Sequence, residues 1–321
     1  MYDVVVYLSS LPRIADRNRK VEVLEAFAAG ARAQGASVLL QTQHQVVDCE
    51  LAVILGWVGT KIRGPHIQLR RDVIDHQQRT KQHVMPVDSS CFKFVDTESY
   101  FLRYSLDGVF YNKNIYANKN SDDIKWQQVQ DKFNLKLQPW REQGDHILVC
   151  LQRDGGWSMK GTDMAAWTYR TVDRIKSLTD RPILIRPHPK HRMDLSGLAG
   201  VAGIRQSMDG SRLEQDLVNA WAAVFCNSSS SVAAALAGIP VFADDDDCVA
   251  WDVANHDLEN IEDPDMPDRE QWLYDLCSAH WTDQDSISGE IYKRFLPLIK
   301  DAPSSPITHL VESELIVTQM P

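Results

Sequence analysis

The sequence predicts an α/β protein built from two Rossmann-like domains facing a cleft. Short β-branched apolar runs alternate with segments of helical period, the mark of parallel sheets joined by helical crossovers. The alternation lapses over 89–145 and restarts at Ile147, so one sheet is followed by a second. At 321 residues the chain also exceeds one ordinary domain of roughly 100–200 residues.

Val4–Leu8 reads as a buried strand. Lys20–Gln34 reads as a helix with Val21, Leu24, Phe27, Ala28 and Ala31 on one face, stopped by Gly35. Strands follow at Ser37–Gln41 and Leu51–Leu55, then a loop holding Gly56 and Gly59, a basic helix His66–Lys81 and a strand His83–Val87. Residues 89–145 have few clean periods; a helix near Asp122–Phe133 and a linker around Gln138–Gly144 are expected. The second series runs Ile147–Leu151 (strand), Thr162–Ser177 (helix), Pro182–Arg186 (strand), Ser211–Asn219 (helix) and Ala223–Cys226 (strand). It ends with a small-residue helix at Ser228–Gly238 and a strand at Pro240–Ala243, and helices near Arg269–His280 and Ser286–Ile299 close the chain.

Acidic residues outnumber basic ones by 44 to 34, for a net charge of −10. That excludes a uniformly basic nucleic-acid coat but not a local basic groove. Six cysteines, at 49, 91, 150, 226, 248 and 277, form no CxxC pair and no zinc spacing, which points to buried thiols in a reducing cytosol. No run approaches the roughly 20 apolar residues of a membrane span. The opening Met1-Tyr2-Asp3-Val4-Val5-Val6 lacks the charged and apolar regions of a signal peptide. A cytoplasmic location is therefore expected, the host cytoplasm if the chain is viral.

The sharpest chemical signal is Ile185-Arg186-Pro187-His188-Pro189-Lys190, which follows an apolar strand. Open α/β sheets bind ligands at strand C-termini, and two prolines fix the backbone on either side of His188. Arg186 and Lys190 add positive charge suited to phosphate oxygens. A second signal is Asn227-Ser228-Ser229-Ser230-Ser231, where hydroxyls and unpaired amides precede an Ala-rich helix and form a phosphate cradle. A third is Arg153-Asp154-Gly155-Gly156-Trp157-Ser158, whose glycines permit close backbone approach to a phosphate. All three fall at predicted strand ends of one domain, so they should converge on one pocket. The plain alternatives are a rigid surface turn, an ordinary helix cap and a common Gly-Gly turn.

Arg186-Pro187-His188-Pro189, followed further on by the serine run and Gly238-Ile239-Pro240-Val241, resembles the donor domain of GT-B glycosyltransferases. In pattern it is similar to capsule, Kdo, polysialic-acid and CDP-glycerol transferases, over roughly residues 147–250. The resemblance implies that His188 and Ser228, Ser229, Ser230 and Ser231 hold the donor's phosphates. It implies a donor site that also includes Arg153, Gly155, Gly156, Trp157, Ser158, Arg186 and Lys190, with Asp244 near the ribose or base. The amino-terminal half lacks the acidic signatures of those families. Its layout (Leu51–Gly56, Gly59–Gly64, His66–Lys81 and His83-Val84-Met85-Pro86-Val87-Asp88) resembles the acceptor domain of phage DNA glycosyltransferases. By position, that likeness implies Asp88 as the general base.

Asp88 ends a buried strand, where a carboxylate could take the proton of an attacking hydroxyl, for about 10²–10⁴-fold in rate. A loop-capping Asp is the plain alternative. Lys61, Arg63, His66, Arg70, Arg71, Arg79 and Lys81 read either as a strip along a polyanionic acceptor or as a solvated helix face. Aromatics and cations interleave from Tyr100 to Lys119, Arg103 and Tyr104 among them; they suit stacking on bases or sugars, or a loop covering the core. Asp244–Asp247 could invite a divalent metal, but consecutive side chains diverge and the GT-B likeness implies metal-independent phosphate handling. No metal ligand is assigned.

The expected organisation is an acceptor domain over 1–142, a donor domain over 143–285, and a C-terminal helix and tail over 286–321 crossing back to the first domain. The expected activity is a hexosyl- or pentosyltransferase acting from a nucleotide sugar, UDP-sugars favoured, with no permanently bound cofactor and with inversion if Asp88 is a lone base. Acceptor-binding residues are expected at Lys61, Arg63, His66, Arg70, Arg103 and Tyr104, with 5-hydroxymethylcytosine in double-stranded phage-type DNA placed ahead of a cell-surface or capsule glycan. A nucleotide-sugar epimerase of the same layout and a non-catalytic nucleotide-binding module are the rivals.

Overall fold

The computed structural model describes residues 1–11, 17–59, 63–153, 156–191, 193–301 and 303–304. Its first elements are β1 (Tyr2–Tyr7), α1 (Arg17–Ala33), β2 (Val38–Gln41), β3 (Cys49–Leu55), α2 (Pro65–Thr80), β4 (His83–Ser89), β5 (Leu102–Tyr104) and α3 (Ile124–Phe133). Then come β6 (His146–Cys150), α4 (Met164–Leu178), β7 (Ile183–Arg186), β8 (Ile204–Gln206), α5 (Leu213–Asp216), β9 (Ala220–Phe225), α6 (Ser231–Leu236) and β10 (Val241–Ala243). α7 (Glu270–Ser278), β11 (His280–Trp281), α8 (Asp283–Ile287) and α9 (Glu290–Asp301) complete the series. The fold class is the expected α/β one.

Contacts divide the chain into two compact units. The first holds Met1–Ser90, Glu98–Ser121 and the segment from Asp275 on; the second holds Cys91–Thr97 and Asp122–Tyr274. By contacts, therefore, 122–142 group with the second sheet and 275–285 with the first, and the short stretch 91–97 leaves the first unit and returns to it.

The first unit carries a six-stranded sheet of order β11-β5-β4-β3-β1-β2. β2, β1, β3 and β4 run parallel, while β5 pairs antiparallel with β4 and β11 antiparallel with β5. The central strands are buried on both faces, which is why Val4–Val6 and Leu51–Ile54 read as continuous apolar runs. α1 buries Leu24, Phe27, Ala28 and Ala31 of the expected stripe together with Val23, while Val21 is half-buried. Gly30 lies on the same helix, and a Cβ there would collide with the Ser286 carbonyl and come within 2.9 Å of the Gly289 backbone. The missing side chain is what lets α8 and the following turn lie directly on α1. α9 adds Ile291, Tyr292, Phe295 and Ile299 to the same core cluster.

The second unit carries a parallel five-stranded sheet of order β10-β9-β6-β7-β8. α4 starts at Asp163, whose carboxylate caps the Ala166 amide at 3.0 Å, and buries Met164, Trp167, Val172 and Ile175 against the sheet. Two expected helices are shorter than read. The stretch at 211–219 yields only the single turn α5, and the serine-opened helix begins at Ser231, leaving Ser228–Ser230 as a turn in front of it. No helix among the described residues is long and apolar enough to cross a membrane.

Candidate functional site

Within the second unit a pocket of about 240 Å³ opens at the C-terminal ends of β6, β7 and β9. Cys150 and Leu151 reach it from β6, Arg186-Pro187-His188-Pro189 from β7 and Ser228–Ser230 from β9, with Leu213 and the segment Cys91, Lys93 and Phe94 completing the wall. Two motifs remote in sequence thus share one cavity, at the strand edge where open α/β sheets bind ligands. Two wider depressions, of about 650 and 680 Å³, lie elsewhere, by Asp145, Arg181 and Glu262 and by Asp72, His76 and Arg79. Neither contains any of the three strand-end motifs, and the second includes Arg79 of the basic strip.

His188 Nδ1 accepts the Lys190 amide at 3.1 Å, so the neutral ring carries its proton on Nε2 and offers that N–H as a donor. Burial holds its pKa below the usual histidine value, helped by the nearby charges of Arg153, His191 and Lys190. The Ser228 and Ser230 hydroxyls are 2.7 Å apart, and the Ser230 amide reaches Ser228 Oγ at 3.3 Å. The amides of Ser228 and Ser229 donate to no acceptor among the described residues. Ser231 turns the other way: it is fully buried, and Cys248 Sγ donates to its hydroxyl at 3.4 Å.

The turn is held from behind by amide side chains. The Asn227 amide donates to Gln152 Oε1 at 3.0 Å, and Gln152 Nε2 returns a bond to Asn227 Oδ1 at 2.6 Å. Asn227 Nδ2 donates in turn to the Ser158 carbonyl at 2.7 Å and to Asp245 at 3.2 Å. Lys160 Nζ lies 3.0 Å from Asp245 and 2.5 Å from Asp247, so an ammonium already answers the charge of the acidic run. Asp244, expected near a ribose or base, accepts the Trp167 indole N–H at 2.8 Å and is tied to α4.

Other expected donor residues are placed as follows. The Arg186 guanidinium, expected on phosphate, binds the Asp216 carboxylate, the Ser211 carbonyl at 2.9 Å and the Ser211 hydroxyl at 3.0 Å. It lines the pocket as a braced side chain, because a mostly buried cation takes the nearest carboxylate. Arg153 and Lys190 are exposed, Gly156 is buried, and Ser158 is half-buried. Gly155 and the Trp157 side chain lie outside the described residues.

In the first unit, Asp88 faces Arg103 across the β4–β5 register, and Asp88 Oδ2 receives Arg103 Nη2 at 2.8 Å. Arg103 also donates to the Ser89 carbonyl at 2.9 Å. Removing one partner of so buried a pair typically costs about 3–5 kcal/mol. Three of the six expected acceptor residues are buried. Tyr104 is in the core, stacked on Phe27 at 5.8 Å between ring centres. Arg103 is buried, and so is Arg70, which spends its guanidinium on the carbonyls of Ser10 and Trp57, each at 3.1 Å. Burial lowers the Arg70 pKa to about 10, Asp88 opposing the shift. Arg70 turns inward because it follows Leu69 on the face of α2 that also buries Val73, Ile74 and Gln77. His66 is half-buried, its pKa lowered by burial first and then by Arg70 and His44. Arg63 is exposed, and Lys61 lies outside the described residues.

Sequence reasoning missed the contribution of Cys91, Lys93 and Phe94 and the bracing roles of Gln152 and Asn227. The one available signal was a lysine inside the otherwise apolar Cys91-Phe92-Lys93-Phe94.

The fold, two parallel-rich sheets with their helices, is of the GT-B kind. The chain is similar to two solved structures from Thermosulfurimonas dismutans. One is a KpsC beta Kdo 2,4 transferase, at TM-score 0.55 and 11% identity, covering 86% of this chain and 90% of that one. The other is a KpsC beta Kdo 2,7 transferase, at TM-score 0.54 and 12% identity, covering 91% and 99%. No protein-family model matches the sequence, and no curated protein matches it either.

Proposed function

We propose that the chain is a glycosyltransferase that takes a sugar from a nucleotide-sugar donor and places it on a glycan hydroxyl. The observation that carries this reading is the shared pocket of His188 and Ser228–Ser230. At about 240 Å³ it is smaller than the roughly 300–1,000 Å³ of a drug-sized site, so it suits the phosphate-bearing part of a donor. His188 Nε2–H, the serine hydroxyls and the amides of Ser228 and Ser229 are preorganised donors for the charge that grows on a leaving phosphate. In this reading Asp88 takes the acceptor's proton on Oδ1, while Oδ2 receives Arg103 Nη2 at 2.8 Å. Only Ser89 and Ser90 separate Asp88 from Cys91, the first pocket-lining residue.

A glycan acceptor is favoured over DNA for two reasons. Two solved structures of similar fold are Kdo transferases by name. Arg70, Arg103 and Tyr104, which a polyanion-tracking surface would present, are buried. The test is a turnover screen of CMP-, CDP-, UDP- and GDP-sugars with oligosaccharide acceptors, and with hydroxymethylcytosine DNA as the contrasting arm. Transfer to a glycan from one donor class is expected, and Asp88→Asn should keep donor binding while losing turnover. Transfer to DNA alone would reverse the acceptor reading. Interconversion of the donor sugar without any acceptor would replace it with epimerisation.

A further inference from the structure

We propose that Lys93, carried into the pocket by the turn 91–97, is the side chain that meets the charge of the donor's phosphate. The inference rests on the pocket being the donor-phosphate site. An anion in a half-enclosed cavity needs a cation close by, and the sequence offers Arg186 and Lys190 from the strand-end motif. Arg186 is committed to Asp216 and Ser211. Lys190 is exposed and is not part of the pocket wall; its backbone amide, not its ammonium, engages His188. Among the described residues that line the pocket, Lys93 is the cationic side chain beside Arg186.

Its placement is built rather than incidental. Cys91 and Phe92 on one side and Asp96 on the other are buried, and the amides of Val95 and Asp96 close a turn onto the Phe92 carbonyl at 2.9 and 2.7 Å. Contacts assign this turn to the second unit although Ser90 and Glu98 belong to the first. The first half of the sequence thereby supplies a charge to a site whose other walls all come from the second half. A lysine suits the task, since its compact ammonium on a flexible stem adjusts to a phosphate without a fixed fork geometry.

The experiment is calorimetric titration of CMP, UDP and inorganic pyrophosphate into the full chain, with cytidine and uridine as uncharged controls. Lys93→Ala should weaken the phosphate probe that the wild type binds by roughly ten- to a hundredfold. That loss should shrink at high salt, and Lys93→Arg should recover most of it. Lys176→Ala, at an exposed lysine of α4 outside the pocket wall, should stay within about twofold of wild type, as expected of a screened surface charge. Lys93 is exposed, so thermal melting should not change. Wild-type affinity in Lys93→Ala, beside lost affinity in His188→Ala, would overturn this assignment and leave the pocket reading standing. A wild type that binds none of the phosphate probes would overturn both.

Discussion

Arg186 and His188 stand two positions apart on one loop and are used differently. The guanidinium is neutralised by Asp216, so it stiffens the loop, while the imidazole stays neutral because burial and the charges of Arg153, His191 and Lys190 oppose its protonation. A phosphate arriving in the pocket opposes that balance, since an anion beside the ring favours imidazolium, whose second proton displaces the Lys190 amide from Nδ1. Binding should therefore take up a proton, and affinity should rise as pH falls from about 7.5 to about 6. Calorimetry in two buffers of different ionisation heat measures the uptake. His188→Gln should abolish both the uptake and the pH slope; an unchanged slope in that variant would remove the ring's charge from the binding step. His188 and the serines were legible in sequence because their chemistry is local. The Asp216 partner of Arg186 was not, because it depends on where α5 falls against the sheet.

At the scale of elements, the serine turn keeps its shape through the reciprocal Gln152–Asn227 bonds. Both side chains are buried, so Asn227→Ala would take from Gln152 Nε2 its 2.6 Å acceptor, though not the backbone bond to Oε1, at a cost of about 1–3 kcal/mol. Urea unfolding should show that loss, and donor affinity should fall as well, because Ser228 directly follows Asn227. A variant with unaltered stability and affinity would show that the turn holds itself. Long apolar strands and striped helices could be read directly from their periodicity. β5, β8 and β11, of two or three residues each, could not, since so short a run becomes a strand only when a neighbour pairs with it. Burial of Tyr104 follows from one of those unread strands.

At the scale of the molecule, the sequence suggested two consecutive α/β halves with a C-terminal helix crossing back to the first; the contacts also place 91–97 in the second unit, after which the chain returns to the first at Glu98. Nothing in local periodicity records such a return, because it depends on which surface accepts the later segment. For the first unit that surface is the glycine-sized gap on α1. Gly30→Val should collide with the Ser286 carbonyl and displace α8. We expect a loss of at least about 3 kcal/mol, near the upper end for overpacking, and new proteolytic cuts within 275–301. Gly30→Ala should behave in the same way to a lesser degree. Wild-type melting and digestion patterns in Gly30→Val would mean that the C-terminal helices are not held through this contact.

The same interleaving bears on how the protein is born. Strand β11 borders β5 in the first sheet, and α8 and α9 lie against α1. A ribosome delivers these pieces only after it has released the whole of the second sheet. The amino-terminal half must therefore wait, partly bare, while its successor completes itself, so chaperone capture during synthesis should concentrate on the earliest part of the polypeptide.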